Sequence, residues 1–453
     1  MSKNYIEQPR FGCALASQQT VVAIPGARPI LHAGPGCSGK AYDFASLGAG
    51  FQGDNYAGGS HISCTNASEE DVVFGGEKKL RNTIDGALQV IKGDLFVVLS
   101  GCTSDIVGDN SIGVAKSFAE QGKPVVGTET AGFKGTSYYG HVKVMEAIIE
   151  QFIGNVTPKV EKGLVNVFSV VPYQDPFWRG DLREIKELLE GIGLKVNILF
   201  GVGSEGVEEW KTIPNAEFNL LLSPWVGIET VELLEKKYGT PYLHIPVLPV
   251  GPIATGEFLR KIGAYAKIDS EKVEKVIKEG EKWFYDYFIT LADFIAEFRN
   301  NLPAELYTVA DSSYALGVTN FLVNELGFIP KGTYLIDDPK DKYKEQITQA
   351  FNKIAETVKG TLVFEPDGGL VQEDIRKRLG NSHRALILGS NWEKFLAQET
   401  RNQHGFLSLP INEAVVTDET IIGYRGGVHL LSEVYNSIFK RGDATSRTQI
   451  NID

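Results

Sequence analysis

The chain has 453 residues, 43% of them hydrophobic and 23% charged, which describes a folded globular protein too long for one core and points to two to four domains. A formal net charge of −12 repels phosphate backbones, so nucleic acid is excluded as a partner. No run of about 18 apolar residues occurs, which argues against a membrane partner as well.

The N-terminal segment 1–10 is polar and carries no apolar core of a signal peptide. The four cysteines, Cys13, Cys37, Cys64 and Cys102, all fall in the first quarter of the chain. With no export signal they are expected to be reduced thiols in a cytoplasmic protein. Residues 34–40 read GPGCSGK, close to a phosphate-cradling loop. The position that must offer a hydroxyl to magnesium is Ala41, and the glycine-rich 47–59 makes a poor following helix. Glycines there serve instead to let backbone approach a bulky group beside Cys37. Glu69, Glu70 and Asp71 cap or precede a helix at 78–91.

Apolar and amphipathic runs then alternate. A strand is expected at 94–100, a helix at 112–121, a strand at 124–127 and a helix at 143–152. A second series has strands at 164–171, 195–200, 218–222 and 242–245 and a helix at 182–190. The stretch 270–300 is helical and rich in aromatic residues, fitting a cover over a domain interface or a surface for a sister chain. A third series has strands at 306–310, 333–336, 361–364 and 384–388, with helices at 314–326 and 342–358. Such alternation implies parallel sheets built from βαβ units. The expected fold is α/β, with three Rossmann-like domains at 1–160, 161–302 and 303–453.

Cys102 follows the strand ending near Leu99, Cys37 follows a strand ending near His32, and Cys13 lies on a segment that can fold back. Parallel sheets place ligands at the carboxyl ends of their strands, so these three thiols share a plausible meeting point. Three thiolates suit an iron–sulfur cluster shared with another chain, because four is the common complement. The absence of Cys-x-x-Cys pairs weakens zinc. Buried structural thiols are the alternative. Cys64 reads as structural and His32 and His61 as satisfied polar groups. Ser104 is a candidate hydrogen-bond donor to a cluster sulfur or a plain turn residue. Lys40 could offset an anionic cluster. No Ser/His/Asp arrangement or paired-carboxylate site stands out.

Cys13, the Gly34-Pro35-Gly36-Cys37 segment and Gly101-Cys102 with Ile106-Val107-Gly108-Asp109 resemble the three cluster-binding segments of nitrogenase component 1. The stretch 71–80 (DVVFGGEKKL) resembles the family between the second and third. Gly132-Phe133-Lys134-Gly135 with Gly140-His141, and Gly423-Tyr424-Arg425-Gly426-Gly427, resemble its later segments in the same order. The resemblance implies a P-cluster of the 8Fe-7S type, held by Cys13, Cys37 and Cys102 and shared with an α-type sister subunit in an α2β2 heterotetramer. It implies an ATP-dependent iron protein as electron donor. No cysteine follows Cys102 and no histidine falls in 406–416, so the chain resembles the β-type, and the catalytic iron–sulfur cofactor is expected in the sister subunit. Should this chain hold that cofactor itself, His383 and His404, near expected loops, are the best alternatives. Ala14-Leu15 after the first cysteine, and Gly132 where the family offers a serine, depart from dinitrogen-reducing β-type chains. These departures favour a nitrogenase-like reductase such as a methylthio-alkane reductase beside nitrogenase itself. A cofactor-assembly scaffold and a tetrapyrrole reductase of the same superfamily are the competing readings.

Overall fold

A computed structural model describes residues 6–39, 62–354, 356 and 358–440. Lys40, Ala41, the glycine-rich 47–59 and His61 lie outside the described residues. After the short α1 (Gln18–Val22), four strands form the first sheet: β1 (Ala27–His32), β2 (Ser63–Cys64), β3 (Leu95–Ser100) and β4 (Val125–Glu129). All pair in parallel in the order β2-β1-β3-β4. Every residue of β1 and β3 is buried, as expected of strands covered on both faces. The covering helices follow from their spacing. α2 (Glu69–Phe74) is a separate turn, and Glu77 rather than the earlier acidic run opens α3 (Glu77–Val90). α3 buries Leu80, Ile84 and Ala87 from one face. α4 (Cys102–Val107) and α5 (Ser111–Ala119) follow β3. α5 adds Val114, Ala115 and Phe118 to a core made with Ile30, Phe96 and Val98. α6 (Ser137–Ala147) passes into a π-helical turn at Ile148–Ile153, where one continuous α-helix was expected.

The second sheet has the order β6-β5-β7-β8 and is again parallel: β5 (Glu161–Phe168), β6 (Lys195–Asn197), β7 (Ala216–Leu221) and β8 (Tyr242–His244). Its helices are α7 (Trp178–Gly191), α8 (Val207–Thr212), α9 (Ile228–Tyr238) and α10 (Gly251–Tyr265). β6 stops at Asn197 although apolar residues continue to Phe200. Leu199 turns to a φ of 68°, and the N–H groups of Ile198 and Leu199 donate to the Glu209 carboxylate instead of a neighbouring strand. Those side chains are still buried, so the pattern reported burial rather than sheet pairing. The expected 270–300 helix is two, α11 (Ser270–Thr290) and α12 (Ala292–Phe298).

The third sheet, in the order β11-β10-β9-β12-β13, is built from β9 (Glu305–Ala310), β10 (Ile329–Leu335), β11 (Leu362–Phe364), β12 (Ala385–Gly389) and β13 (Gln403–Phe406). Around it run α13 (Ser312–Asn324), α14 (Asp341–Ile354), α15 (Gly368–Leu379) and α16 (Asn391–Glu399). Phe284 of α11 is buried edge-on against Phe321 of α13, joining second-series and third-series elements, while Trp283, Tyr285 and Tyr287 of the same helix are exposed. The last helix, α17 (Gly423–Lys440), returns to pack on α10 and α11. The opposite end crosses the other way. Arg10 makes a two-point ion pair with Glu393 at 2.6 and 2.8 Å, and the Gly368 N–H donates to the Glu7 carbonyl at 2.8 Å. Among the described residues no helix is long and apolar enough to cross a membrane.

Candidate functional site

In the first sheet the strand order reverses between β1 and β3, and such a switch point opens a crevice at the carboxyl ends. His32 and Ser100 pair as the last residues of these strands. Cys37 lies in the helical turn 35–39 just past β1, and Cys102 is the first residue of α4 just past β3. The two turns are bonded to each other. The Ser104 hydroxyl donates to the His32 carbonyl at 2.6 Å, and the Gly101 N–H donates to the same carbonyl at 2.9 Å. A Cβ on Gly101 would stand 2.6 Å from that of Ala33, so only glycine allows this approach. Ser104 is buried and its hydroxyl is bonded within this turn, which is the turn role of its two readings.

Cys13 comes from a different direction. It pairs with Thr136 in an antiparallel bridge, flanked by Ala14 N–H to Gly135 O at 2.9 Å and Ser137 N–H to Gly12 O at 2.8 Å. This delivers its side chain beside Gly132. The Gly132 N–H donates to Cys102 Sγ at 3.0 Å. A Cβ on Gly132 would sit 3.1 Å from Cys102 Sγ, 3.1 Å from Cys13 Cβ and 3.3 Å from Cys13 Sγ. Cys13 and Cys102 therefore flank one glycine, with Cys37 at the end of the adjoining strand, and all three are exposed. Among the described residues no three His, Cys, Asp or Glu side chains are grouped to hold a metal ion.

Cys64 differs from the other three. It is half-buried in β2, its thiol donates to the Ala33 carbonyl at 3.4 Å, and its sulfur accepts the Asn66 N–H at 3.3 Å. His32 is fully buried, with Nδ1 3.1 Å from Thr65 Oγ1 and Nε2 2.9 Å from Asp109 Oδ2. The Asp109 carboxylate also accepts the Gly76 N–H at 2.9 and 3.0 Å. A Cβ on Gly76 would stand 2.8 Å from both His32 and Asp109. The FGGEKK motif and Asp109 thus lock the strand end that carries Cys37. Composition gave no sign of this, although an aspartate after Gly108 beside a strand-end histidine was the available cue.

Lys134, two residues past Gly132, bonds Asp105 at 2.8 Å and also pairs with Glu129. Burial works against its charge, but the two carboxylates outweigh it and raise its pKa. It keeps a fixed cation near the thiols. Several apolar side chains nearby in the chain are exposed: Ile106 of α4 by 75% and Phe133, next to Gly132, by 59%, with Val73 at 71% and Phe74 at 82% on α2. α2, which carries Val73 and Phe74, packs on α4, which carries Ile106.

The histidines of the later sheets are spoken for. His404 lies on β13 and not on a loop, with Nε2 3.0 Å from the Ser390 carbonyl, and His383 Nδ1 is 3.0 Å from the Thr400 carbonyl. His244 Nε2 is 2.8 Å from the Ser223 carbonyl. His429 stands edge-on to Phe177.

The chain is similar to a light-independent protochlorophyllide reductase component from Angiopteris evecta, with 24% identity over 80% of this chain and 71% of that one. It is 31% identical to a nitrogenase molybdenum-iron protein alpha chain from Methanosarcina barkeri, over 65% of this chain and 54% of the relative. Its fold is that of the solved nitrogenase Cp1, with a TM-score of 0.77 over 97% of this chain and 95% of the other at 19% identity. The family model described as nitrogenase component 1 type oxidoreductase matches residues 10–439. A match of that extent, over the three-sheet fold and the switch-point thiols, makes the chain a member of the nitrogenase component 1 type oxidoreductase family.

Proposed function

We propose that this chain is one subunit of a nitrogenase-like reductase, β-type in role. In this reading Cys13, Cys37 and Cys102 hold its half of an iron–sulfur cluster of P-cluster type, shared with an α-type sister subunit. The observation that carries the reading is Gly132: its missing Cβ leaves Cys13 and Cys102 side by side, and its N–H is aimed at sulfur. Exposed thiolates with backbone donors are the ligand chemistry of such clusters. When bound, the cluster supplies one-electron transfer at a tuned potential. The residues of this chain place the thiols, hold Lys134 paired with Asp105 two residues past Gly132, and leave Ile106 and Phe133 exposed for a partner. Two further expectations belong to the same reading: docking of an ATP-dependent iron protein, and a substrate-reducing cofactor in the sister subunit. A methylthio-alkane C–S bond and dinitrogen are the candidate substrates. The likeness to a protochlorophyllide reductase component favours one alternative, reduction of a tetrapyrrole.

Iron content of the anaerobically purified complex tests the assignment. Cys13→Ala, Cys37→Ala and Cys102→Ala should each lose most of the shared cluster's iron, whereas Cys64→Ala should keep it. Wild-type iron in all three variants would overturn the reading. Turnover of the purified complex with each substrate class separates the alternatives.

A further inference from the structure

The second and third sheets also reverse their strand order, between β5 and β7 and between β9 and β12. Around these reversals stand carboxyls rather than thiols. Asp175 lies in the loop after β5, Asp311 directly after β9 and Asp337 shortly after β10. Their side chains are buried. Asp311 caps α13, accepting the N–H groups of Ser313 and Tyr314 at 2.8 and 3.1 Å. Asp337 accepts the Trp225 indole N–H at 2.6 Å and the Ser312 hydroxyl at 2.8 Å, joining the loop after β7 to the third sheet. Asp175 Oδ2 accepts the Val171 N–H, but its Oδ1 is buried with no hydrogen-bond partner.

An ionised carboxylate in such a place needs a counter-charge. Among the described residues no lysine, arginine or histidine forms an ion pair with any of the three, and no set of side chains is grouped to hold a metal. The titratable groups that face them are themselves acids: Asp181 of α7, bonded to the Tyr314 hydroxyl of α13, and Tyr138 of α6, whose ring meets that of Trp225. Burial, followed by the charge of Asp311, pushes Asp175 well above the ordinary carboxyl range. Burial, followed by the charge of Asp337, raises Asp311 to about 7. Burial also raises Asp337 against its hydrogen bonds.

We propose that Asp175, Asp311 and Asp337 are protonated carboxyls buried where the second and third sheets meet, with Asp337 bonding across the junction, and that the junction loosens as their protons leave. The proposal is independent of what the thiols bind. Its sign follows from linkage: a carboxyl whose pKa is raised by folding stabilises the protein fully below its unfolded value. That contribution is lost as pH rises through the folded value. Asparagine copies the protonated acid, so Asp175→Asn should remove part of the loss.

The test is infrared spectroscopy of the full-length purified protein, reading the carbonyl stretch of protonated carboxyls at about pH 7, where ordinary aspartates are ionised. Wild type should show the band, and Asp175→Asn, Asp311→Asn and Asp337→Asn should each diminish it. Thermal midpoints should agree: Asp175→Asn should gain on wild type as pH rises from the ordinary carboxyl range, about 4, through neutrality. A wild-type protein without the band overturns the proposal even if no variant folds. A band unchanged in all three variants, or equal pH slopes, does so as well.

Discussion

Gly132 decides whether the thiol site can exist. Its position between Cys13 and Cys102 leaves no room for a branched side chain, since even a Cβ would lie 3.1 Å from a sulfur. Gly132→Val should therefore lower iron loading of the complex severely. Because the residue lies at a half-buried surface turn, thermal stability should fall by no more than about 1 kcal/mol. Iron content and a melting curve on one preparation decide it, and wild-type loading would refute the steric argument. The cysteines themselves were legible in the sequence. Cys102 follows the β-branched run LFVVLS, and Gly-Cys after such a run reads as a strand end. Gly132 was noted only as a departure from the family's serine. Its role depends on two segments meeting across more than a hundred residues, which no local pattern encodes. Likewise His32 was rightly read as a satisfied polar group, but its partner Asp109 lies 77 positions away.

At the scale of elements, the junction between the N-terminal arm and α16 makes a quantitative claim. Glu393 is fully buried and caps α16 through Ser390. Burial opposes its charge, yet Arg10 and the Ser390 hydrogen bonds outweigh this and hold its pKa below the ordinary range. Its stabilising contribution is therefore present above the unfolded pKa and lost as pH falls through the folded one. Arg10→Met strips the counter-charge from a buried carboxylate and should destabilise by about 3–5 kcal/mol. The double variant with Glu393→Gln should recover much of that, and chemical denaturation of the set measures it. Equal stability of Arg10→Met and wild type would show that the pair contributes nothing. Elements rich in valine, isoleucine and leucine were readable, as β3 and β12 show. β13, with the sequence QHGF, was not, because it lacks the β-branched run and pairs with β12 alone. β6 was overextended because Ile198, Leu199 and Phe200 are buried without a strand partner.

For the whole molecule, the exposed apolar side chains of Val73, Phe74, Ile106 and Phe133 should be covered in the working complex. Phe74→Asp combined with Ile106→Asp should abolish association with the sister chain in size-exclusion measurements. The isolated chain's melting curve should move by no more than roughly 1 kcal/mol, since both side chains are exposed. A complex of undiminished stability would remove this face as the contact. The parallel α/β plan was legible because alternating buried runs and amphipathic stretches leave few other topologies. The crossed ends were not, because neither segment carries a periodicity that names its partner.

Those crossed ends impose an order on synthesis. The arm bearing Glu7 and Arg10 runs directly into Cys13, and Arg10 meets Glu393 across 383 positions. Contacts so distant in sequence form late, since the intervening chain must first be made and closed. A ribosome that has completed the first sheet exposes Cys37 and Cys102 in place, while the arm that steadies Cys13 still lacks its anchor at 367–393. The segment around Cys13 thus reports whether the third sheet has folded, and under the proposed cluster assignment a half-made chain would present an incomplete ligand set. Chains truncated after residue 360 should accordingly be cut by protease within residues 6–12, where the full-length protein resists. Equal resistance of the truncated form would show that the local bonds from Gly12 and Ala14 suffice on their own.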